Sequence, residues 1–246
     1  MKFNHLLLPL LVSLLPCAYG ANVLVNNNFE AFSIISSGYD SPYNATTNPN
    51  GWQPNGNFGT SPTVSRQYLE TTTGIGWLTT AGDNRIEIWQ SGHQSVPSPE
   101  GAQFAEINAT TAAALYQDVT IDASGLVDYS FLHRGRSGND TLEVTITYLG
   151  ADNIFGTSDD LQVVKKQFTT GNTAWVRYDE QDKFTSVANG QYRFSYGAIT
   201  SSGTNLSFGN FIDDVNFGVA LPVPEPSITL LSGLGLVGLL ARRRRA

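Results

Sequence analysis

Thr141-Leu142-Glu143-Val144-Thr145-Ile146-Thr147-Tyr148 alternates apolar and polar residues without a break. Side chains along a strand point to opposite faces in turn, so Leu142, Val144, Ile146 and Tyr148 line one face and Glu143, Thr145 and Thr147 the other. A strand with one apolar face needs a second layer to cover it. Moving outward, strand-like segments recur at 22–25, 85–90, 103–108, 114–121, 128–133, 141–149, 161–169, 174–184, 190–200 and 210–217, separated by clusters of Gly, Asn, Asp and Pro. About ten short strands with no helical periodicity predict an all-β fold, an antiparallel β-sandwich of the jelly-roll kind. The stretch 31–80 is rich in turn residues, and no strand can be placed in it.

The two ends read differently from this body. Lys2, the apolar run 6–15 and the small residues up to Gly20 have the layout of a secretory signal peptide, a helix over 1–20 removed by signal peptidase. Ten apolar residues are about half of what a membrane span needs. The single cysteine, Cys17, lies in this segment behind Pro16, which argues against lipidation, and the body has no thiol with which to form a disulfide. At the other end stand Val223, Pro224, Glu225 and Pro226, an uncharged apolar stretch 227–241, and Arg242, Arg243, Arg244 and Arg245. As a helix, that stretch reaches about 22 Å against a hydrocarbon core of about 30 Å, so it is a short and marginal anchor. The arginines keep the extreme C-terminus cytoplasmic and leave the body outside. The chain thus divides into a signal peptide (1–20), one domain (21–221) and a tail (222–246).

The order of these tail elements resembles the PEP-CTERM sorting signal of Gram-negative bacteria. That resemblance implies processing by an exosortase, transient anchoring in the inner membrane, and transfer of the body to the cell surface or an exopolysaccharide-rich extracellular matrix, as in a biofilm.

The body is acidic. The chain has 14 basic and 21 acidic residues; setting aside Lys2, Arg242 to Arg245 and Glu225 leaves 9 against 20, a formal charge of −11. Such a surface repels nucleic acid and long anionic polymers, and favours cations or uncharged sugars. Nucleic acid is therefore excluded as a partner.

Within the body, Asn26-Asn27-Asn28-Phe29-Glu30 resembles the opening of galactose-binding-like jelly rolls, among them many carbohydrate-binding modules, with Asn27 where a glycine is usual. Asn tolerates the left-handed backbone, so the turn is expected to survive at that position. Phe211-Ile212-Asp213-Asp214-Val215 is similar to their closing strand. The resemblance implies that the first and last strands lie together and that Glu30, Asp213 and Asp214 hold a structural calcium. By period two, Phe211, Asp213, Val215 and Phe217 share one face, which makes Asp213 the leading ligand. A solvated acidic strand end without metal is the alternative. Asp152 to Asp160 resembles a recurrent acidic hairpin of bacterial exported proteins and reads as a polar turn rather than a calcium loop, since it lacks the glutamate at position twelve.

Sugar recognition needs an aromatic plane beside hydrogen-bonding groups. Glu87 and Trp89 fall on one strand face, opposite Ile86 and Ile88, and Glu106 and Asn108 share a face on a following strand. With His133, Arg134 and Arg136 they form a candidate polar groove for a glycan such as exopolysaccharide. Against this stands a second reading, in which Trp89 is core and Glu87 or Glu106 is ion-paired with one of the arginines. Trp52 and Trp77, in loop-rich sequence, are further candidates for exposed contact. Glu87 and Glu106 are also the pair a glycosidase would use. The body has only two histidines, no Gly-x-Ser-x-Gly, no His-Glu-x-x-His and no phosphate loop, so the expectation is a non-catalytic protein. A purely structural or adhesive matrix protein is the other alternative.

Overall fold

The computed structural model describes residues 22–31, 65–202 and 207–220. The signal segment, the tail from Val223 to Arg245, and Trp52 lie outside the described residues. Where the sequence alternates most clearly, the strand forms as expected: Leu142, Val144 and Ile146 are fully buried, and Glu143 and Thr145 are half-buried.

Eleven strands are described: β1 (Ser65–Leu69), β2 (Leu78–Thr79), β3 (Arg85–Gln90), β4 (Gln103–Glu106), β5 (Ala114–Ile121), β6 (Leu126–Arg134), β7 (Asp140–Tyr148), β8 (Leu161–Thr170), β9 (Val176–Thr185), β10 (Gly190–Thr200) and β11 (Phe211–Val219). They form two antiparallel sheets, one of six strands in the order β1-β3-β4-β11-β6-β9 and one of five in the order β2-β5-β10-β7-β8. From β5 onward the chain passes repeatedly between the sheets, and this is the jelly-roll sandwich expected from the strand pattern. The apolar faces meet in one core. There Phe131 packs edge-on against Tyr196 at 5.0 Å, and Phe194 stacks on Phe217 at 4.7 Å.

Several local expectations change. Residues 22–25 form no strand. They run extended beside β11, tied by Val23 N–H to Phe217 O (2.9 Å) and Val215 N–H to Asn27 O (2.9 Å), which does bring the opening segment against the closing strand. The left-handed backbone falls at Asn26 (φ 44°) and Phe29 (φ 58°) rather than at Asn27. Asn26 is held there because its side chain donates to Ile75 O and accepts from Ala31 N–H, each at 2.8 Å. Within 31–80 the chain supplies β1 and β2, both too short or too mixed in pattern to be seen in the sequence. Trp77, expected in an exposed loop, is fully buried, stacked on Phe29 at 5.5 Å with its indole N–H donated to Asn26 O.

The consequential change is in β11. Asp213 pairs with Leu132 and Asn216 with Ser130, so two residues of β11 stand opposite one of β6 in a β-bulge, with Asp214 at φ 43°. The extra residue inverts the parity of the strand. Ile212, Val215 and Phe217 face the core, while Phe211 and Asp213 face outward.

Candidate functional site

The outward face of the six-stranded sheet gathers three of the residues singled out above, with Phe104 beside them. Trp89 and Glu87 project from β3, Phe104 and Glu106 from β4, and Glu87 stands directly opposite Glu106. This face is not open. The 91–102 segment and Trp175 close over it, and Trp89 is fully buried in a second apolar cluster with Val96, Phe104 and Phe211. Trp175 is fastened there by its indole N–H to Pro97 O at 2.8 Å. Glu106 is fully buried. Arg136 Nη1 donates to both its oxygens at 3.0 and 3.2 Å, and Gly209 N–H donates to Oε1 at 2.8 Å. The Arg136 guanidinium lies 4.7 Å from the Trp89 ring centroid and 4.1 Å from that of Phe208.

Two carboxylates therefore share one half-buried cation. Burial, reinforced by the charge of Glu87, holds Glu106 well above the usual carboxylate range, against the pull of Arg136 and Gly209. Burial also raises Glu87, and Ser65, Arg136, Gln67 and Trp89 oppose the shift. This is the paired, core-like arrangement of the second reading, not a groove.

His133 and Asn108 belong to an internal chain. His133 is fully buried between Thr170 Oγ1 (2.8 Å) and Asn210 Oδ1 (3.1 Å), and burial lowers its pKa to about 4. Asn210 in turn donates to Asn108 Oδ1 at 3.3 Å. Asp140 braces the same corner by accepting the backbone N–H groups of Arg136, Ser202 and Asn210. Arg134 stands apart on the outward face, paired in the backbone with Phe211.

Of the three acidic residues expected at a cation site, Asp213 and Glu30 both meet the 98–103 loop, and Asp214 is drawn away. Asp214 turns to Arg177 in an ion pair. Asp213 is fully buried beside Ser98, with Oδ1 accepting its neighbour's N–H at 2.8 Å. Glu30 Oε1 accepts the N–H groups of Ala102 and Gln103, both at 2.6 Å, and the charge of Glu30 reaches Asp213. Burial, with the charges of Asp214 and Glu30, raises the Asp213 pKa to about 8, against the hydrogen bonds from Asp214 and Ser98. Ser98 Oγ meets three oxygens: Glu100 O, Gln103 O at 3.1 Å and Asp213 Oδ2 at 3.2 Å. A hydroxyl has one proton, so Ser98 can donate to only one of these oxygens.

The acidic hairpin 152–160 is a self-braced turn. Asp159 accepts from Ala151 N–H and Thr157 Oγ1 (each 2.7 Å), and Asp160 accepts from Gly156 N–H at 2.7 Å. Those contacts, the Thr157 hydroxyl first, hold Asp159 below the usual carboxylate range. The turn sets Phe155, about half exposed, over the neighbouring sheet.

That sheet carries the surface the sequence reading missed. On the outward face of the five-stranded sheet, Tyr116, Ser195, Thr145 and Lys165 form one row across β5, β10, β7 and β8. Ala114, Gly197, Glu143 and Gln167 form the next. Arg193 rests 4.0 Å from the Tyr116 ring centroid and 4.1 Å from that of Phe155, and donates to both oxygens of Asp118 at 2.7 and 2.6 Å. Lys165 pairs with Glu143 at 3.5 Å. Charges on this face are thus matched locally, and its centre is floored by small residues. Among the described residues, a Cβ added at Gly197 would meet nothing nearer than 3.8 Å. The strand 114–121 held the signal, since Tyr116 and Asp118 alternate with Leu115 and Val119. The partners of that pair, 75 residues away in Arg193, were not visible.

Residues 222–245 match the PEP-CTERM protein-sorting motif, the segment read from sequence as a sorting tail. No curated protein matches the chain. Among solved structures, the chain is similar to TmCBM61 in complex with β-1,4-galactotriose, at 13% identity and TM-score 0.43, over 80% of this chain and 98% of that one. It is also similar to the C-terminal family 22 carbohydrate-binding module of Clostridium thermocellum Xyn10B, at 16% identity and TM-score 0.40, over 63% and 92%. A third is the CBM22-1 xylan-binding domain of Paenibacillus barcinonensis Xyn10C, at 15% identity and TM-score 0.40, over 65% and 95%.

Proposed function

We propose that this is an exported, non-catalytic protein of the bacterial surface or extracellular matrix, sorted by its tail, whose body binds an uncharged polysaccharide along the outward face of the five-stranded sheet. The observation that carries the reading is the Tyr116-Arg193-Phe155 stack beside a floor of Ser195, Gly197 and Thr145. Sugar rings take up aromatic surface and many moderate hydrogen bonds, and side chains already locked by ion pairs lose little entropy when they bind. Catalysis by Glu87 and Glu106 is disfavoured, because they are 8% and 0% exposed and share Arg136.

Gly197→Trp puts an indole on the floor without touching the core. With a panel of neutral polysaccharides, it and Tyr116→Ala are expected to weaken binding at least tenfold with the melting temperature unchanged. If the unmodified protein binds no glycan at millimolar ligand, the sugar-binding reading fails and a structural or adhesive matrix role stands in its place.

The body is further proposed to hold a structural calcium ion. Asp213, the second oxygen of Glu30, the main-chain oxygens of Glu100 and Gln103 and the Ser98 hydroxyl suit a hard cation that takes carboxylate and carbonyl oxygens together. No group of three acidic or histidine side chains converges among the described residues, so main-chain oxygens would make up the shell. Asp214, paired with Arg177, would not contribute its carboxylate.

A further inference from the structure

The body contains nine basic side chains against twenty acidic ones. Among the described residues eight of the nine have a polar, charged or aromatic partner, and Arg134 has none. Its Nε is buried and makes no hydrogen bond. Shortage of acids does not explain this, because carboxylates outnumber cations more than two to one. A half-buried guanidinium with no counter-ion costs desolvation that nothing among the described residues offsets. Arg134 stands on β6, opposite Phe211 on one side and one residue beyond the His133–Val176 pair on the other, which puts its backbone alongside Trp175. The Trp175 indole is half-buried, fixed by Pro97 O, and packed edge-on against Phe104 at 5.2 Å.

A planar fork of free N–H donors matches a carboxylate in two-point fashion, and an immobilised indole matches the C–H face of a sugar ring. We propose that Arg134 with Trp175 forms a second recognition point, on the sheet opposite the neutral face, for the carboxylate of a uronic acid residue. The formal charge of −11 on the body opposes a continuous polyanion, so the ligand class is an isolated or terminal uronate on an otherwise uncharged glycan.

Calorimetry on the full-length protein compares digalacturonate with its methyl ester, which has the same shape without the charge. The free acid is expected to bind at least tenfold more tightly, and 0.5 M salt to erase most of that preference. Arg134→Gln removes the preference at an unchanged melting temperature, and Arg134→Lys keeps part of it. Gly197→Trp leaves it intact, which separates this site from the neutral face. The proposal is overturned if the wild type does not prefer the acid, if Arg134→Gln retains the preference, or if Gly197→Trp abolishes it. Should Arg134→Gln fail to fold, the salt dependence and Arg134→Lys decide: no loss in either overturns it.

Discussion

Stripping the protein of divalent cations is expected to lower its melting temperature, by a margin that widens as the pH rises from about 6 to 8. The cause lies at Asp213. Without a cation, its folded-state pKa is about 8 against an ordinary 3.8. A carboxylate raised in this way contributes stability that is fully present below the unfolded value and is lost as the pH rises through the folded one. The metal-free protein should therefore weaken steadily over that window, by on the order of 10 °C. Calcium reverses the preference by favouring the ionised carboxylate, so calcium-loaded protein should hold its melting temperature to pH 8 and depend on calcium concentration by mass action. Asp213→Asn is expected to remove both the calcium response and most of the difference in slope. Glu87 and Glu106 tilt the curve the same way, whereas His133, depressed to about 4, acts oppositely as the pH falls below 6.5. Comparison of wild type with Asp213→Asn cancels these contributions. A melting temperature indifferent to chelation at pH 8 would rule the cation out.

The second large effect belongs to Arg136. Glu106 is 0% exposed, and Arg136 is its only basic hydrogen-bond partner among the described residues. Arg136→Met leaves a buried carboxylate unpaired and is expected to cost about 3–5 kcal/mol. It also removes the cation stacked on Trp89 and Phe208. Glu106→Gln should cost less, because an amide oxygen can still accept the Gly209 N–H. The double variant should recover much of the loss, with a coupling energy of roughly 1–3 kcal/mol in urea unfolding. Lowering the pH should narrow the gap between Arg136→Met and wild type, since protonating Glu106 removes the unpaired charge. A loss under about 1 kcal/mol at every pH would show that the ion pair is peripheral to the fold.

The strands were legible wherever one face met the core and the other met solvent, as in 141–149 or 190–200, because period two is then written directly into residue type. Parity also separated Glu87 and Trp89 from Ile86 and Ile88, as the structure has them. Parity failed at Asp213, where the bulge at Asp214 adds a residue that no local pattern announces. It was silent on a further matter: which outward face is open. Trp89 and Glu106 point away from the main core yet are buried: Trp175, 78 residues distant from Pro97, closes the 91–102 segment over Trp89, and Arg136 and Gly209 enclose Glu106. Tyr116 and Arg193 point away from it too and are only half-buried.

The sequence by itself determined the sandwich, the sorting tail and the acidic balance, since each is encoded in local order or in composition. Only the tertiary structure decided which polar residues are internal pairs and which are surface. Burial of an outward side chain depends on what the chain lays over it from far away, and contacts between distant segments leave no periodic trace.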